Sequence, residues 1–164
     1  MTLPLDGVRV VDLTTVVAGP YATQLLADLG ADLIKVEAPA GDNARGLGPH
    51  VNEGMGAVFL NCNRGKRSVV LDLATDDGRR DLKRLTDQAD VVVHNMREAA
   101  AVRCGADADT LRDGHPALIH CSIRGFGSGG RYRDLPPYDD IIQAASGVAG
   151  QHEWTAGEPS YVVS

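Results

Sequence analysis

The sequence has few aromatic residues and few cysteines, and each shortage excludes a class of protein. Aromatic side chains make up 4% of the 164 residues, so the hydrophobic core is predicted to be aliphatic. The three cysteines, Cys62, Cys104 and Cys121, are an odd number at wide spacing, which argues against a disulfide framework and a zinc site. We interpret them as reduced thiols packed in or near the core.

Positive charge and long apolar runs are also scarce. The chain has 16 Lys and Arg residues against 22 Asp and Glu residues, a formal net charge of −6. Proteins that bind nucleic acid or anionic membranes through charge usually carry a basic excess. No apolar run approaches the ~20 residues of a membrane-spanning helix, and the amino terminus lacks a signal-peptide pattern. These features predict a cytoplasmic protein with no nucleic-acid partner and no membrane partner.

What the sequence does contain is an alternation of strand-like and helix-like segments. Strands are predicted at residues 8–13, 32–37, 68–73, 90–94 and 117–123. Helices are predicted at residues 21–29, 76–88, 98–103, 107–113 and 139–149. This alternation predicts an α/β fold with a Rossmann-like, open, mostly parallel sheet and helices on both faces. Ligands of such sheets bind beyond the carboxyl ends of the strands, so functional residues are expected directly after each strand.

Two loops near these strand ends narrow the possible chemistry. The loop after the first strand has one glycine, Gly19, where a dinucleotide-binding fold carries three, which disfavours an NAD enzyme. Residues 38–56 are rich in Gly and Pro without an apolar period, and a loop of this length is typically functional. No spacing of Asp, Glu, His or Cys is typical of a metal site.

The basic turn at residues 61–68, Asn-Cys-Asn-Arg-Gly-Lys-Arg-Ser, precedes the third strand and lacks the P-loop pattern. Two interpretations stay open for it: a phosphate-binding cluster and a solvated basic turn. His94 and His120 lie on strands, where histidines usually serve hydrogen-bonded packing, and we assign them that role. The glycine-rich segment 125–137 permits close backbone approach, and Asp139 is interpreted as a helix cap or first-turn acid.

Four separated blocks of the sequence resemble the family III CoA-transferases, which include formyl-CoA and carnitine CoA-transferases and the 2-methylacyl-CoA racemases. The blocks read GVRVVDLTTVVAGPYATQLLADLGADLIKVEAPAGDNAR, NCNRGKRSVVLDL, ADVVVHN and LIHCSIRGFGSGGRYRDLPPYDDIIQAASG. They occur in the family's order and cover the chain almost end to end. The chain is therefore identified as similar to the amino-terminal portion of that family.

The resemblance implies an acyl-CoA:carboxylate CoA-transferase that works through an aspartyl-CoA thioester. Its substrates would be an acyl-CoA and a carboxylate acceptor, with no permanently bound cofactor and no metal. The family also implies an interlocked homodimer when full length, in which each chain has a large Rossmann-like domain and a small domain.

The resemblance places CoA-contacting residues in five groups. They are Val17 and Ala18; Leu71, Asp72, Leu73 and Ala74; Asn95, Met96 and Arg97; Arg103; and Pro137, Tyr138 and Asp139. Three of the groups follow predicted strands, and Arg103 suits a CoA phosphate because guanidinium is a bidentate donor. Some members have glutamine at the position of Val17 and arginine at that of Ala38, so those polar contacts are absent here.

The family's nucleophilic aspartate is expected just beyond Ser164, so no residue of this chain is predicted to be catalytic. Residues 1–164 are then the amino-terminal part of the large CoA-binding domain, and the small domain and the returning segment are expected to be absent. A sheet cut in this way is expected to associate or to dissolve poorly.

Two alternative functions stay open at this stage. A racemase is disfavoured because Tyr138 stands where racemases carry a histidine, and tyrosine titrates near ~10. A non-catalytic CoA-binding or interaction module would need the CoA-contacting positions but no nucleophile.

Overall fold

The computed structural model describes residues 2–151 and 153–162, and the chain divides into two compact units, Met1–Ile123 and Arg124–Ser164. The first unit is built on five strands: β1 Arg9–Leu13, β2 Asp32–Glu37, β3 Arg67–Val70, β4 Val91–His94 and β5 Ile119–Ser122. Their order is β3-β2-β1-β4-β5, and all neighbouring strands are parallel. The predicted Rossmann-like α/β sheet is confirmed, and its order reverses between β1 and β4.

Five α-helices belong to this unit. They are α1 Ala18–Asp28, α2 Ala57–Cys62, α3 Asp76–Thr86, α4 Glu98–Arg103 and α5 Ala108–Arg112. Pro20 lies in the first turn of α1, where a backbone N–H has no acceptor within the helix, so proline is tolerated there. Thr75 caps α3 because its hydroxyl accepts a hydrogen bond from the Gly78 amide at 3.0 Å.

In the part of the chain that the structure describes, no helix has the length and apolar character needed to cross a membrane.

Two short helices and the end of the third strand differ most from the predictions. The predicted loop at residues 38–56 contains a short 3-10 helix, Asn43–Gly46, and α2 follows it without having been predicted. The third strand ends at Val70 instead of residue 73, because the chain turns at Asp72. There the carboxylate accepts from the Ala74 amide at 3.0 Å and the carbonyl accepts from the Thr75 amide at 3.0 Å.

The core consists of two aliphatic clusters, which the alternation of side chains along the strands places on opposite faces of the sheet. One contains Val11, Leu13, Val36, Val92, Leu82 from α3 and Leu111 from α5. The other contains Val10, Ala31, Leu33 and Val93, with Leu26 and Ala27 of α1 packed against it. Helices therefore cover both faces, and the prediction of an aliphatic core is confirmed.

All three cysteines are free thiols, but their surroundings differ. Cys62, at the end of α2, is buried, and Cys104 is partly buried. Cys121 is exposed on β5, although it lies in register with the buried Val93 of β4. The prediction of core packing is therefore wrong for Cys121, because β5 is an edge strand.

In the second unit the described residues form three short helices, α6 Asp139–Ser146, α7 Val148–Gln151 and α8 Glu153–Ala156. The helix predicted at 139–149 is broken at Gly147, whose φ of +83° ends α6 in the left-handed conformation. The Gln143 side chain is buried and forms two hydrogen bonds with the backbone of Val162, at 2.8 and 2.7 Å. These bonds hold the backbone of Val162 against α6.

Candidate functional site

The sheet order reverses between β1 and β4, and open α/β sheets bind their ligands beyond the carboxyl ends of the two strands at such a reversal. Residues 14–17 follow β1 and are called the β1 loop. The Asn95 amide after β4 spans this switch point: its Nδ2 donates to the Thr15 carbonyl at 2.8 Å, and its Oδ1 accepts from the Thr15 amide at 3.0 Å. Asn95 thus joins the two connections.

The β1 loop is held in a strained conformation. Among the described residues, Val16 is the one non-glycine residue with a positive φ, at +72°. A Cβ is unfavourable in this left-handed region, and a β-branched side chain more so. Strain of this kind concentrates at functional segments whose surroundings impose it.

A fully buried carboxylate, Asp12, lies at the base of the β1 loop. It accepts hydrogen bonds from the Thr14 amide at 2.8 Å, the Thr14 hydroxyl at 2.5 Å and the Thr23 hydroxyl of α1 at 2.7 Å. The Lys66 ammonium lies 2.8 Å from Asp12 and also donates to the Pro20 carbonyl at 2.8 Å. Burial lowers the pKa of Lys66, although the attraction of Asp12 opposes that change.

The basic turn is therefore neither a free phosphate-binding cluster nor a wholly solvated one. Its Lys66 side chain is 1% exposed and serves the buried network. Its two arginines are exposed and form ion pairs with neighbouring carboxylates, Arg64 with Asp28 at 2.6 Å and Arg67 with Asp32 at 2.5 Å. Both interpretations left open from the sequence are wrong for Lys66, because its ammonium is buried against Asp12. That carboxylate lies 54 residues earlier in the chain, so no local pattern pairs the two.

A second buried ion pair, Lys35 with Asp42, contacts the β1 loop from β2 and from the connection that follows it. The ammonium and the carboxylate are 2.9 Å apart, and their side chains are 2% and 0% exposed. Lys35 donates to the Thr14 carbonyl at 2.8 Å. Asp42 Oδ1 accepts from the Val16 amide at 3.1 Å and from the Ala44 amide at 2.9 Å. Together the pair holds two successive peptide groups of the β1 loop, one on each side of Thr15, and the second carries the amide of the strained Val16.

A third ionic contact, Glu37 with Arg45, anchors the long connection after β2. Arg45 donates to both carboxylate oxygens, at 2.7 and 2.8 Å, and the Ser68 hydroxyl donates at 2.5 Å. The Arg45 hydrogen bond and then that of Ser68 lower the pKa of Glu37 to about 2, against the opposing effect of burial. The Arg45 guanidinium also stacks 3.8 Å from the centre of the Phe59 ring on α2.

Apart from Lys66, for which the sequence left a phosphate-binding role open, none of these buried charged residues was predicted as functional. The available signal was the presence of Asp12, Lys35 and Glu37 in otherwise apolar strands, where an unpaired charge would be costly. Their partners follow at separations that no local pattern reveals.

The residues predicted to contact CoA in the first unit all follow a strand or end a helix. Val17 and Ala18 are exposed at the start of α1, and Arg97 and Arg103 are exposed at the two ends of α4. Asp72 and Ala74 are exposed after β3, whereas Leu71, Leu73 and Met96 pack partly against the core. The side chain of Asn95 is directed to Thr15.

The packing role assigned to the two strand histidines is confirmed. His94 is fully buried, and its Nδ1 accepts from the Met96 amide at 3.2 Å. Its ring lies 5.0 Å from that of His120, centre to centre. His120 Nε2 hydrogen-bonds to the Ala106 carbonyl at 2.9 Å.

The remaining predicted residues belong to the second unit. Tyr138 precedes α6 and is 67% exposed, and Asp139 is the first residue of the helix. Asp139 accepts a hydrogen bond from Gln143 Nε2 at 2.6 Å, which supports its interpretation as a first-turn acid. Gly125 lies so close to Pro137 that a Cβ at position 125 would be 2.1 Å from the proline Cβ.

Comparisons with known proteins agree on one family. A sequence profile described as CoA-transferase family III matches residues 5–164. Succinate–glutarate CoA-transferase of Agrobacterium fabrum is 46% identical in an alignment of 163 residues that covers 95% of this chain and 40% of that enzyme. Formyl-CoA:oxalate CoA-transferase of Streptomyces avermitilis is 42% identical in an alignment of 161 residues that covers 97% of this chain and 39% of that enzyme.

A solved structure shares the fold. A CAIB/BAIF family protein from Brucella suis superposes with a TM-score of 0.85 at 44% identity, covering 91% of this chain and 40% of that one. The chain thus spans about two fifths of the length of the relatives it matches.

Proposed function

Because the chain belongs to CoA-transferase family III, we propose that it supplies the CoA-binding part of an enzyme that moves CoA from an acyl-CoA to a carboxylate. One observation carries the proposal. The connections after β1, β3 and β4 hold three of the five groups of predicted CoA-contacting residues, and they lie at the carboxyl edge of one parallel sheet. That edge is where open α/β sheets bind nucleotides.

Nearby arginines and backbone amides, and not the net charge of the chain, would attract the anionic CoA. The net charge of −6 repels phosphates at long range. Arg97 is exposed just after β4, Arg103 is exposed at the end of α4, and the first-turn amides of α1 favour negative charge. We assign Arg103 to a CoA phosphate and the backbone around Val17 and Ala18 to the nucleotide.

The proposed reaction proceeds through two anhydrides and needs no redox step. An aspartate attacks the thioester carbonyl, the CoA thiolate leaves, and a mixed anhydride forms. The thiolate then attacks the aspartyl carbonyl, so that the acyl group departs as its carboxylate and an aspartyl-CoA thioester remains. The acceptor carboxylate then attacks the aspartyl-CoA thioester, the CoA thiolate leaves, and a second mixed anhydride forms. The thiolate attacks the acyl carbonyl of the acceptor, which gives the new acyl-CoA and releases the aspartate. The nucleophilic aspartate is expected just beyond Ser164, which lies outside the described residues.

Tyr138 favours the transferase over the racemase alternative. A racemase must remove and return an α-proton with a pair of groups that titrate near neutral pH. A phenol, with a usual pKa near ~10, is a poor base of that kind.

Calorimetric titration of the chain with CoA tests the proposal. We expect heat of binding at micromolar to millimolar CoA, and Arg103→Ala is expected to weaken affinity about tenfold or more because a charge-assisted hydrogen bond is lost. Arg112→Ala is the matched control, since Arg112 also ends a short exposed helix. No heat at millimolar CoA would overturn the proposal, and equal effects of the two substitutions would overturn the assignment of Arg103.

The domain assignment is part of the same proposal: residues 1–164 form the amino-terminal part of a larger CoA-binding domain. It is supported by the two-fifths share of each relative that the chain covers. The intact mass of the protein isolated from its source cells tests it, because a mass of 17.3 kDa would contradict a longer domain.

A further inference from the structure

The Lys35–Asp42 pair lies beneath the β1 loop and has no access to a ligand of its own. Its side chains are 2% and 0% exposed, so neither charge reaches solvent. Both groups nevertheless contact the loop backbone, Lys35 at the Thr14 carbonyl and Asp42 at the Val16 amide. Any effect of the pair on a ligand must therefore pass through the loop.

Burying two opposite charges is a poor way to gain stability, because desolvation offsets most of their attraction. The pair has a more specific consequence here. Val16 adopts a φ of +72°, which a valine avoids unless its surroundings impose it, and Asp42 is the acceptor for its amide. The same Asp42 oxygen accepts from Ala44, so the loop and the connection after β2 share one acceptor.

The loop orientation matters because α1 begins directly after it. Val17 precedes α1, and Thr15 is joined to Asn95 across the switch point. The peptide of Val16 therefore sets the direction of both the first-turn amides of α1 and the contact with β4.

We infer that Asp42, supported by Lys35, is a positioning residue of the CoA site: its carboxylate oxygen holds the Val16 amide and so presets the β1 loop for the nucleotide part of CoA. This inference rests on the proposed function. It assigns a role to residues that do not touch the ligand, and it attributes that role to the hydrogen-bond acceptor and not to the charge.

Two double variants separate the acceptor from the charge. Lys35→Met with Asp42→Asn removes both charges but keeps a side-chain oxygen for the Val16 amide. Lys35→Met with Asp42→Ala removes both charges and the acceptor. The asparagine variant is expected to keep CoA affinity within about threefold of the unmodified chain, and the alanine variant to lose tenfold or more. Asp107→Asn is the control, since this carboxylate caps α5 by accepting hydrogen bonds from Thr110, in a different part of the unit.

Amide hydrogen exchange at Val16 provides a readout without ligand. Exchange is expected to be slow in the unmodified chain and in the asparagine variant, and at least tenfold faster in the alanine variant, whereas Asp107→Asn leaves it unchanged. A Val16 amide that exchanges at the unfolded rate in the unmodified chain overturns the inference even if a variant fails to fold. Equal CoA affinity of the two double variants also overturns it. If the unmodified chain binds no CoA, the proposed function falls, and the exchange comparison alone decides whether Asp42 holds the loop.

Discussion

Glu37 is the residue whose charge state the fold controls most visibly. Its carboxylate is 4% exposed and accepts from Arg45 on both oxygens, with a third donor in Ser68. These donors favour the ionised form and lower the pKa of Glu37 from 4.5 to about 2. The anchor of the long connection therefore persists only while Glu37 is charged.

This shift predicts an acid-dependent loss of stability. Because the pKa is lower in the folded than in the unfolded chain, the contribution of Glu37 is complete above pH 4.5 and is lost as the pH falls to about 2. The loss is up to ~3 kcal/mol for this group. Urea unfolding at pH 6 and pH 3 should show a smaller pH effect in Glu37→Gln than in the unmodified chain. Parallel pH dependences would contradict the prediction.

Helix α1 shows how one glycine permits close packing of a helix on a strand. A Cβ at Gly19 would lie 2.4 Å from the Cβ of Thr14, whose hydroxyl donates to Asp12. The one glycine of this segment therefore serves contact between α1 and the end of β1. Such contact is one of the three roles that glycines fill in dinucleotide-binding folds.

Gly19→Ala is therefore expected to destabilise the chain by about 1–3 kcal/mol, because the added methyl must displace Thr14 from the buried network. Gly150→Ala in α7 is the matched control, since no atom lies within 4 Å of a Cβ there and alanine is the better helix former. Thermal unfolding followed by circular dichroism distinguishes them. A similar melting temperature for both variants would contradict the packing argument.

The elements also show what the sequence could and could not predict. β2 was predicted with its observed bounds, Asp32–Glu37, because β-branched residues and flanking breakers mark a strand locally. α2 was missed because it has six residues and Gly56 at its N-cap position makes no side-chain cap. The pairing of Lys66 with Asp12 was out of reach for a different reason: it exists only after three strands have come together.

On the scale of the whole molecule, α1 carries a row of apolar side chains that its packing leaves exposed. Tyr21, Leu25 and Leu29 recur at every fourth position along α1 and its carboxyl end, and they are 52%, 44% and 45% exposed. Residues four apart share one face of a helix, so they form a continuous apolar row.

This row supports the expectation that the isolated chain self-associates. Sedimentation velocity should show an average sedimentation coefficient that rises with protein concentration, and Tyr21→Ser with Leu25→Ser should reduce the rise. Val102→Ser on α4 is the control, because Val102 is also exposed but lies away from the row. A concentration-independent monomer for the unmodified chain would contradict the expectation.

The contact between Asn95 and Thr15 also determines when the β1 loop can fold during synthesis of the chain. β1 is synthesised first and lies in the middle of the sheet, but the amide that joins its loop to β4 follows 80 residues later. At cellular rates of synthesis this interval lasts roughly 4 to 16 s. During that time one edge of β1 has no partner strand, which is the situation in which nascent chains depend on chaperones. The β1 loop therefore reaches its final shape only after four of the five strands that the structure describes have been synthesised.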